Sequence, residues 1–144
     1  NGIIEPVPTF STCFGEPFML LKPQVYADLL VEKIKKYGVK VFLVNTGWTG
    51  GPYGIGKRIN LEYTRAMVRA AINGDLDNAS YVTHPVFKLE MPTHCPGVPD
   101  AILNPANTWD NISEYNKTAR ELAHHFSQNF AKYRDVREDL KKIN

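Results

Sequence analysis

The 144 residues are enough for one core and give no sign of a second. Seventeen basic and 15 acidic residues leave a formal net charge of +2 dispersed along the chain, which argues against a nucleic-acid surface. Hydrophobic residues make up 43%, yet no apolar run approaches the ~18 residues of a membrane span, so the composition is that of a soluble globular domain.

In chain order, Asn1 to Thr12 carries Pro6 and Pro8 without a helical period and is expected to be extended. Phe14 to Leu21 is apolar but broken by Gly15 and Pro17, which suggests packed irregular structure or a short strand. Pro23 is placed to open a helix that ends at Gly38. Its apolar stripe is Tyr26, Leu29, Leu30, Ile34 and Tyr37, with the lysines at 33, 35 and 36 mostly on a solvated side. The β-branched run Val39 to Val44 reads as a strand covered on both faces. A glycine-rich stretch, Gly47 to Lys57, follows, with Gly54 and Gly56 expected to supply positive φ.

Asn60 is a good N-cap and Gly74 a good stop for a second helix, with Leu61, Thr64, Val68, Ala71 and Ile72 on one side. Ser80 to Phe87 suggests a strand interrupted at Pro85. Met91 to Thr108, rich in proline, is expected to be an ordered loop over the body. A last helix has Tyr115, Thr118, Leu122, Phe126, Phe130 and Tyr133 on one face, with Ser113 as N-cap. Arg134 to Asn144 is a charged tail expected to fray.

Side chains with chemical potential are few. Cys13 and Cys95 form neither a disulfide framework nor a metal pair, and a reducing compartment is the economical reading. Cys13, among Phe10, Phe14 and Phe18, reads as a buried thiol. The glycosylation-type matches at Asn78, Asn111 and Asn116 read as chance in a polar chain. His84 and His94 have no carboxylate at ligand spacing, and the side chains of His124 and His125 diverge by about 100° on a helix, so no metal site is expected.

The loop carries most of a Walker A motif. Gly51 leads through four residues to Gly56 and Lys57, but Arg58 stands where a magnesium-binding hydroxyl is required, and a guanidinium has no lone pair to offer a metal. Pro52 also removes one amide donor from the loop. Strand, glycine-rich turn and helix are the context in which backbone amides and a helix N-terminus collect phosphates. Arg58, a main-chain group of Ile59 and the Thr64 hydroxyl could meet a base or sugar at that helix end. The competing readings are a surface cation at Arg58, an ordinary half-buried Thr64 and a loop without ligand.

The run from Leu43 to Ile59, with Tyr63 to Ala66 after it, resembles the ATP-dependent phosphoenolpyruvate carboxykinases. Pro8 to Gly15 upstream resembles the same family, as do Cys95 to Pro99 and Leu103 to Pro105 with Asn107 to Trp109 downstream, all in the family's order. Ala106 departs from the basic residue expected between Pro105 and Asn107, which removes any ion pair it would make.

The resemblance implies an α/β fold class, with residues 1–144 forming the C-terminal part of the nucleotide-binding lobe of the phosphoenolpyruvate carboxykinase fold. Residues 1–12 would follow the active-site lid, and 134–144 would be the frayed tail. Family members are several times longer, and this chain begins at Asn1 without methionine, so it looks like the last quarter of such a protein. The resemblance further implies a cytoplasmic carboxy-lyase of gluconeogenesis that converts oxaloacetate and ATP to phosphoenolpyruvate, CO2 and ADP. ATP would be bound through Arg58, Ile59 and Thr64 near its adenosine end. The divalent metal, Mg or Mn, would be held by residues outside this chain, as would the phosphates and oxaloacetate. No catalytic residue and no metal ligand is expected in these positions, and neither nucleic acid nor membrane is an expected partner. Two alternatives stand beside this reading: a free-standing phosphate- or nucleotide-binding module using Gly50 to Lys57 as an atypical loop, and a structural domain without ligand.

Overall fold

The computed structural model describes residues 9–11, 15–131 and 133. The expectations for residues 1–8, the Cys13 thiol and the tail 134–144 lie outside them. The chain forms helices with two small antiparallel sheets, a mixed α/β composition, in two compact units. One unit runs up to Val41 and resumes at Phe126; the other is Phe42–His125.

In the first unit a single 3₁₀ turn, Glu16–Phe18, carries Pro17 at its second position, and its Phe18 amide bonds the Gly15 carbonyl at 2.9 Å. Phe14 to Leu21 thus forms neither a strand nor a packed segment among the described residues, since Phe18 and Leu20 are exposed. Helix α1, Pro23–Tyr37, begins and ends at the expected signals. Gly38 closes it in the left-handed region (φ 60°), with its amide on the Ile34 carbonyl at 2.9 Å. Its apolar stripe is not buried, however, and no residue of α1 is. Phe10 meets Phe126 edge-on, ring centroids 5.0 Å apart.

The run Val39 to Val44 forms no hydrogen-bonded strand, and Leu43 is 78% exposed. The correction has a simple cause. A covered strand requires neighbouring strands on its edges and layers on its faces, and no described residue supplies them.

The second unit opens with a hairpin. Strands β1, Trp48–Thr49, and β2, Lys57–Arg58, pair antiparallel in the register Trp48 with Arg58 and Thr49 with Lys57. The connecting loop turns on Pro52, whose carbonyl accepts from the Ile55 amide at 3.1 Å and the Gly56 amide at 2.8 Å. Gly54 has φ 87°, as expected. Gly56 is needed for a different reason: its φ is not positive, but a Cβ there would stand 2.3 Å from the Gly51 carbonyl oxygen and 2.9 Å from that of Thr49.

Helix α2, Leu61–Asn73, is capped by Asn60, whose side chain accepts from the Glu62 amide at 2.9 Å, and is stopped by Gly74 at φ 80°. Its buried face differs from the expected stripe. Ala66 and Ala70 are buried with Tyr63, Met67 and Ala71 beside them, while Leu61, Val68 and Ile72 face out. Small side chains let α2 approach Leu76, Cys95 and Val98 closely, and these five residues form the core. The Cys95 to Val98 bridge is a tight turn with Gly97 at φ 76°.

Strand β3, Tyr81–Thr83, ends before Pro85 as its sequence suggests. The chain then turns and returns as β4, Glu90–Pro92, pairing Val82 with Met91. The proline-rich stretch is therefore not all loop: it contributes β4, a single-turn helix α3, Asp100–Leu103, and a 3₁₀ turn, Pro105–Thr108. Helix α4, Ile112–Phe130, is capped by Asn111 in place of Ser113. The Asn111 carbonyl oxygen accepts from the Ser113 amide at 3.0 Å and the Glu114 amide at 3.2 Å. Tyr115 and Ala119 are its buried residues.

Buried His84 joins this region together. Its Nδ1 accepts the Val86 and Phe87 amides, each at 3.1 Å, so the neutral ring carries its proton on Nε2 and donates to the Tyr115 hydroxyl at 2.6 Å. Burial holds the His84 pKa below its ordinary 6.5 and pushes the Tyr115 phenol up. Protonating Nδ1 would also point a new N–H at two existing donors.

Two outcomes are expected. A histidine whose folded pKa is lowered stabilises fully above the unfolded value and loses that contribution as pH falls below about 6.5. Denaturant midpoints should therefore drop between pH 7.5 and 5.5, and a His84→Gln variant should lose most of that slope. Gly56→Ala should be costlier than Gly54→Ala in thermal unfolding. Overpacking against two fixed carbonyls costs typically 1–3 kcal/mol or more, whereas Gly54 has open space around it and meets only backbone strain of about 1–2 kcal/mol.

Candidate functional site

The three expected nucleotide-contacting residues stand on one continuous passage, from the end of the hairpin into the first turn of α2. Arg58 closes β2, Ile59 and Asn60 form the link, and Thr64 lies one turn into the helix. The link is held at both ends. The Ile59 amide donates to the Gly47 carbonyl at 2.9 Å, which extends the hairpin ladder by one bond, and Asn60 caps α2. Gly47 is itself fixed by its amide on the Asn45 side-chain oxygen at 2.9 Å.

Each group is left with a definite capacity. Arg58 is exposed, and no ion pair among the described residues uses it, so its five N–H donors are available. Because the Ile59 amide is spent, only its carbonyl can serve a ligand. Thr64 is half-buried, and its hydroxyl makes a long 3.5 Å bond to the Asn60 carbonyl four residues back, weak enough to be exchanged. The N-terminal end of α2, with Glu62 in its first turn, is already partly neutralised.

The glycine-rich loop offers few amides. Gly50 donates to the Thr108 hydroxyl at 3.1 Å, Ile55 and Gly56 donate to Pro52, and Pro52 has no N–H. A phosphate nest requires several consecutive amides converging on one point. Here Gly51, Tyr53 and Gly54 are the amides of the turn left over. Lys57 is exposed on β2, and Trp48 packs edge-on against Tyr53 with centroids 5.7 Å apart.

Thr108 is the tie that sequence reasoning missed. It lies 59 residues from Thr49, and its oxygen is 2.8 Å from the Thr49 hydroxyl. Its own proton goes to the Pro105 carbonyl at 2.8 Å, so Thr49 is the donor between the two threonines. Asn104 caps this 3₁₀ turn by accepting the Ala106 amide at 3.1 Å. A shallow cleft lies alongside, bordered by Gly51, Pro52, Ile55, Trp109 and Glu114.

Elsewhere, His94 does find a carboxylate: its Nδ1 is 2.9 Å from Asp100, on the exposed start of α3. The six-residue separation concealed this pair. Among the described residues no three metal-ligating side chains converge. Cys95 is 1% exposed, and burial, aided by the negative charge of Asp75, raises its pKa, so it is a protonated core thiol. No described helix is long and apolar enough to cross a membrane.

The sequence family described as phosphoenolpyruvate carboxykinase matches residues 1–101. The chain is 62% identical, over all 144 residues, to phosphoenolpyruvate carboxykinase (ATP) of Alkaliphilus oremlandii. It is also 62% identical, over 141 residues or 98% of its length, to the enzyme of that name from Caldanaerobacter subterraneus. Against the one from Fusobacterium nucleatum it is 55% identical over 140 residues, 96% of the chain. It spans 27% of the length of each of these relatives. With its glycine-rich hairpin, its Arg58-Ile59 link and the motif around Cys95 inside the family match, and the Asn104 motif inside the full-length match to the Alkaliphilus enzyme, the chain belongs to the ATP-dependent phosphoenolpyruvate carboxykinase family.

Proposed function

We propose that this chain is the C-terminal part of the nucleotide-binding lobe of a phosphoenolpyruvate carboxykinase, and that it supplies the adenosine side of the ATP site. The whole enzyme would be a carboxy-lyase that converts oxaloacetate and ATP to phosphoenolpyruvate, CO2 and ADP, in the cytoplasm and in gluconeogenesis. The family match over most of the chain carries this reading.

The geometry supports it. The exposed Arg58 guanidinium can stack on an adenine face or bond a ribose oxygen, the Ile59 carbonyl can accept from an exocyclic amine, and the Thr64 hydroxyl can exchange its long internal bond for a better one. The loop's spent amides speak against a triphosphate seat between Gly51 and Lys57, and hence against the free-standing phosphate-binding module. The exposed α1 stripe and the largely exposed apolar side chains of the Val39 to Val44 run, which forms no strand, suit a segment whose faces are covered by the remainder of a longer chain, which weakens the purely structural reading of an independent domain. A divalent metal would be held by residues outside these 144, as the family resemblance implies.

In the full-length protein, Arg58→Ala should weaken ATP roughly ten- to hundred-fold, as loss of a charged hydrogen bond costs about 1.5–3 kcal/mol, while oxaloacetate is affected far less. Thr64→Val should do the same more weakly, and Lys57→Ala should be mild. Calorimetric titration decides: wild-type ATP affinity in the Arg58 variant would refute the assignment, and abolished turnover in the Lys57 variant would restore the phosphate-loop reading. The 144-residue chain by itself should show no decarboxylation of oxaloacetate with ATP and manganese in a steady-state assay.

A further inference from the structure

Thr108 has no part in the proposed contacts with ATP, yet it is bonded to the hairpin at the point where its loop begins. Its hydroxyl is saturated: one proton to the Pro105 carbonyl at 2.8 Å, one lone pair taken by the Thr49 hydroxyl at 2.8 Å and the other by the Gly50 amide at 3.1 Å. Thr49 is opposite Lys57 in the two-residue ladder, and Trp48 is opposite Arg58. So short a ladder cannot hold its own register.

We infer that Thr108 is a positioning residue for the nucleotide site: its hydroxyl clamps the glycine-rich hairpin so that Arg58 and Ile59 are presented in fixed register with the first turn of α2. The inference rests on the adenosine-side reading above. Two features make the clamp suited to this task. Gly50 has φ 81°, and a Cβ there would lie 3.1 Å from the Thr108 carbonyl oxygen, so the two backbones touch with no side chain between them. The far end of the clamp is rigid, because Thr108 ends a 3₁₀ turn that Asn104 caps and Pro105 opens. Freed of the clamp, the hairpin would hold neither its register nor its angle to α2, and Arg58 would have to be ordered by the nucleotide at the expense of affinity.

The test compares Thr108→Val, Thr108→Ser, Thr49→Val and Arg58→Ala in the full-length protein, reading KM for ATP, KM for oxaloacetate and the melting temperature. Thr108→Val keeps the shape and loses the clamp, so KM for ATP should rise roughly tenfold, with oxaloacetate within about twofold. Thr108→Ser restores the hydroxyl and should restore KM. Thr49→Val removes one of the clamp's bonds and should move KM for ATP in the same direction by less, which decides the matter even if Thr108→Val fails to fold. Equal rises for both substrates that track a fall in melting temperature would overturn the inference, leaving Thr108 merely structural. Unchanged KM for ATP in both threonine variants, with Arg58→Ala still impaired, would overturn the inference alone; an unimpaired Arg58→Ala would overturn the reading beneath it.

Discussion

The close seat of α2 on the Cys95 to Val98 turn is the constraint on which the rest of the second unit depends. Ala66 and Ala70 present almost no side chain, and Gly97 presents none: a Cβ on Gly97 would lie only 3.5 Å from that of Ala66. At such a contact the energy comes from close packing and not from large apolar area, and the left-handed backbone of Gly97, φ 76°, favours the residue without a side chain. The consequence reaches the candidate site directly. With α2 fixed, Thr64 and the Asn60 cap are fixed, and the hairpin that carries Arg58 must join them through one residue, Ile59.

A second tie comes from a distant part of the sequence. Thr108 ends the segment that begins at the core residue Val98 and passes through α3, and it grips the hairpin at Thr49 and Gly50. The hairpin is therefore held at its exit by the helix and at the start of its loop by a threonine from a distant part of the chain. A two-residue ladder with a seven-residue, glycine-rich loop would be marginal in isolation. Between two anchors it becomes a defined surface, on which exposed Arg58 would, in the proposed reading, act as a directed donor and not as a free surface cation.

What could be read from the sequence divides along the range of the interactions. Pro23, Gly38, Asn60 and Gly74 mark helix ends because capping is settled within four residues of chain, and all four stand where expected. Ser113 lost the cap of α4 to Asn111, a competitor two residues away with the better side chain. The buried face of α2 was hidden because its residues are alanines, which an apolar pattern undervalues next to Leu61, Val68 and Ile72. The run Val39 to Val44 has strand chemistry and no strand, since pairing is a relation with a neighbour and cannot be owned by one segment. Within the candidate site, the nearness of Arg58, Ile59 and Thr64 follows from adjacency and a capped helix. The Thr49 to Thr108 bond spans 59 residues and leaves no periodic or motif trace, so no local rule could find it.

The near-Walker spelling of the loop resolves into a choice between neighbours. Lys57 and Arg58 are consecutive on β2, and consecutive side chains on a strand point to opposite faces. One ligand seated against the hairpin cannot be served by both. Exposure does not choose between them, because both are exposed. The amides favour the proposed Arg58 side: a phosphate on the Lys57 side would need several converging loop N–H groups, and with those of Gly50, Ile55 and Gly56 already partnered and none on Pro52, only Gly51, Tyr53 and Gly54 are left. The Arg58 side needs no loop amides, only a free guanidinium, the Ile59 carbonyl and a hydroxyl one helical turn further on. The glycines that mimic a phosphate loop are instead accounted for by the turn itself, Gly54 by its left-handed backbone and Gly56 by the carbonyl oxygen pressed against the place of its missing Cβ. Steric demand in a tight hairpin and phosphate recognition thus arrive at the same residue types, and only the hydrogen-bond partners tell them apart.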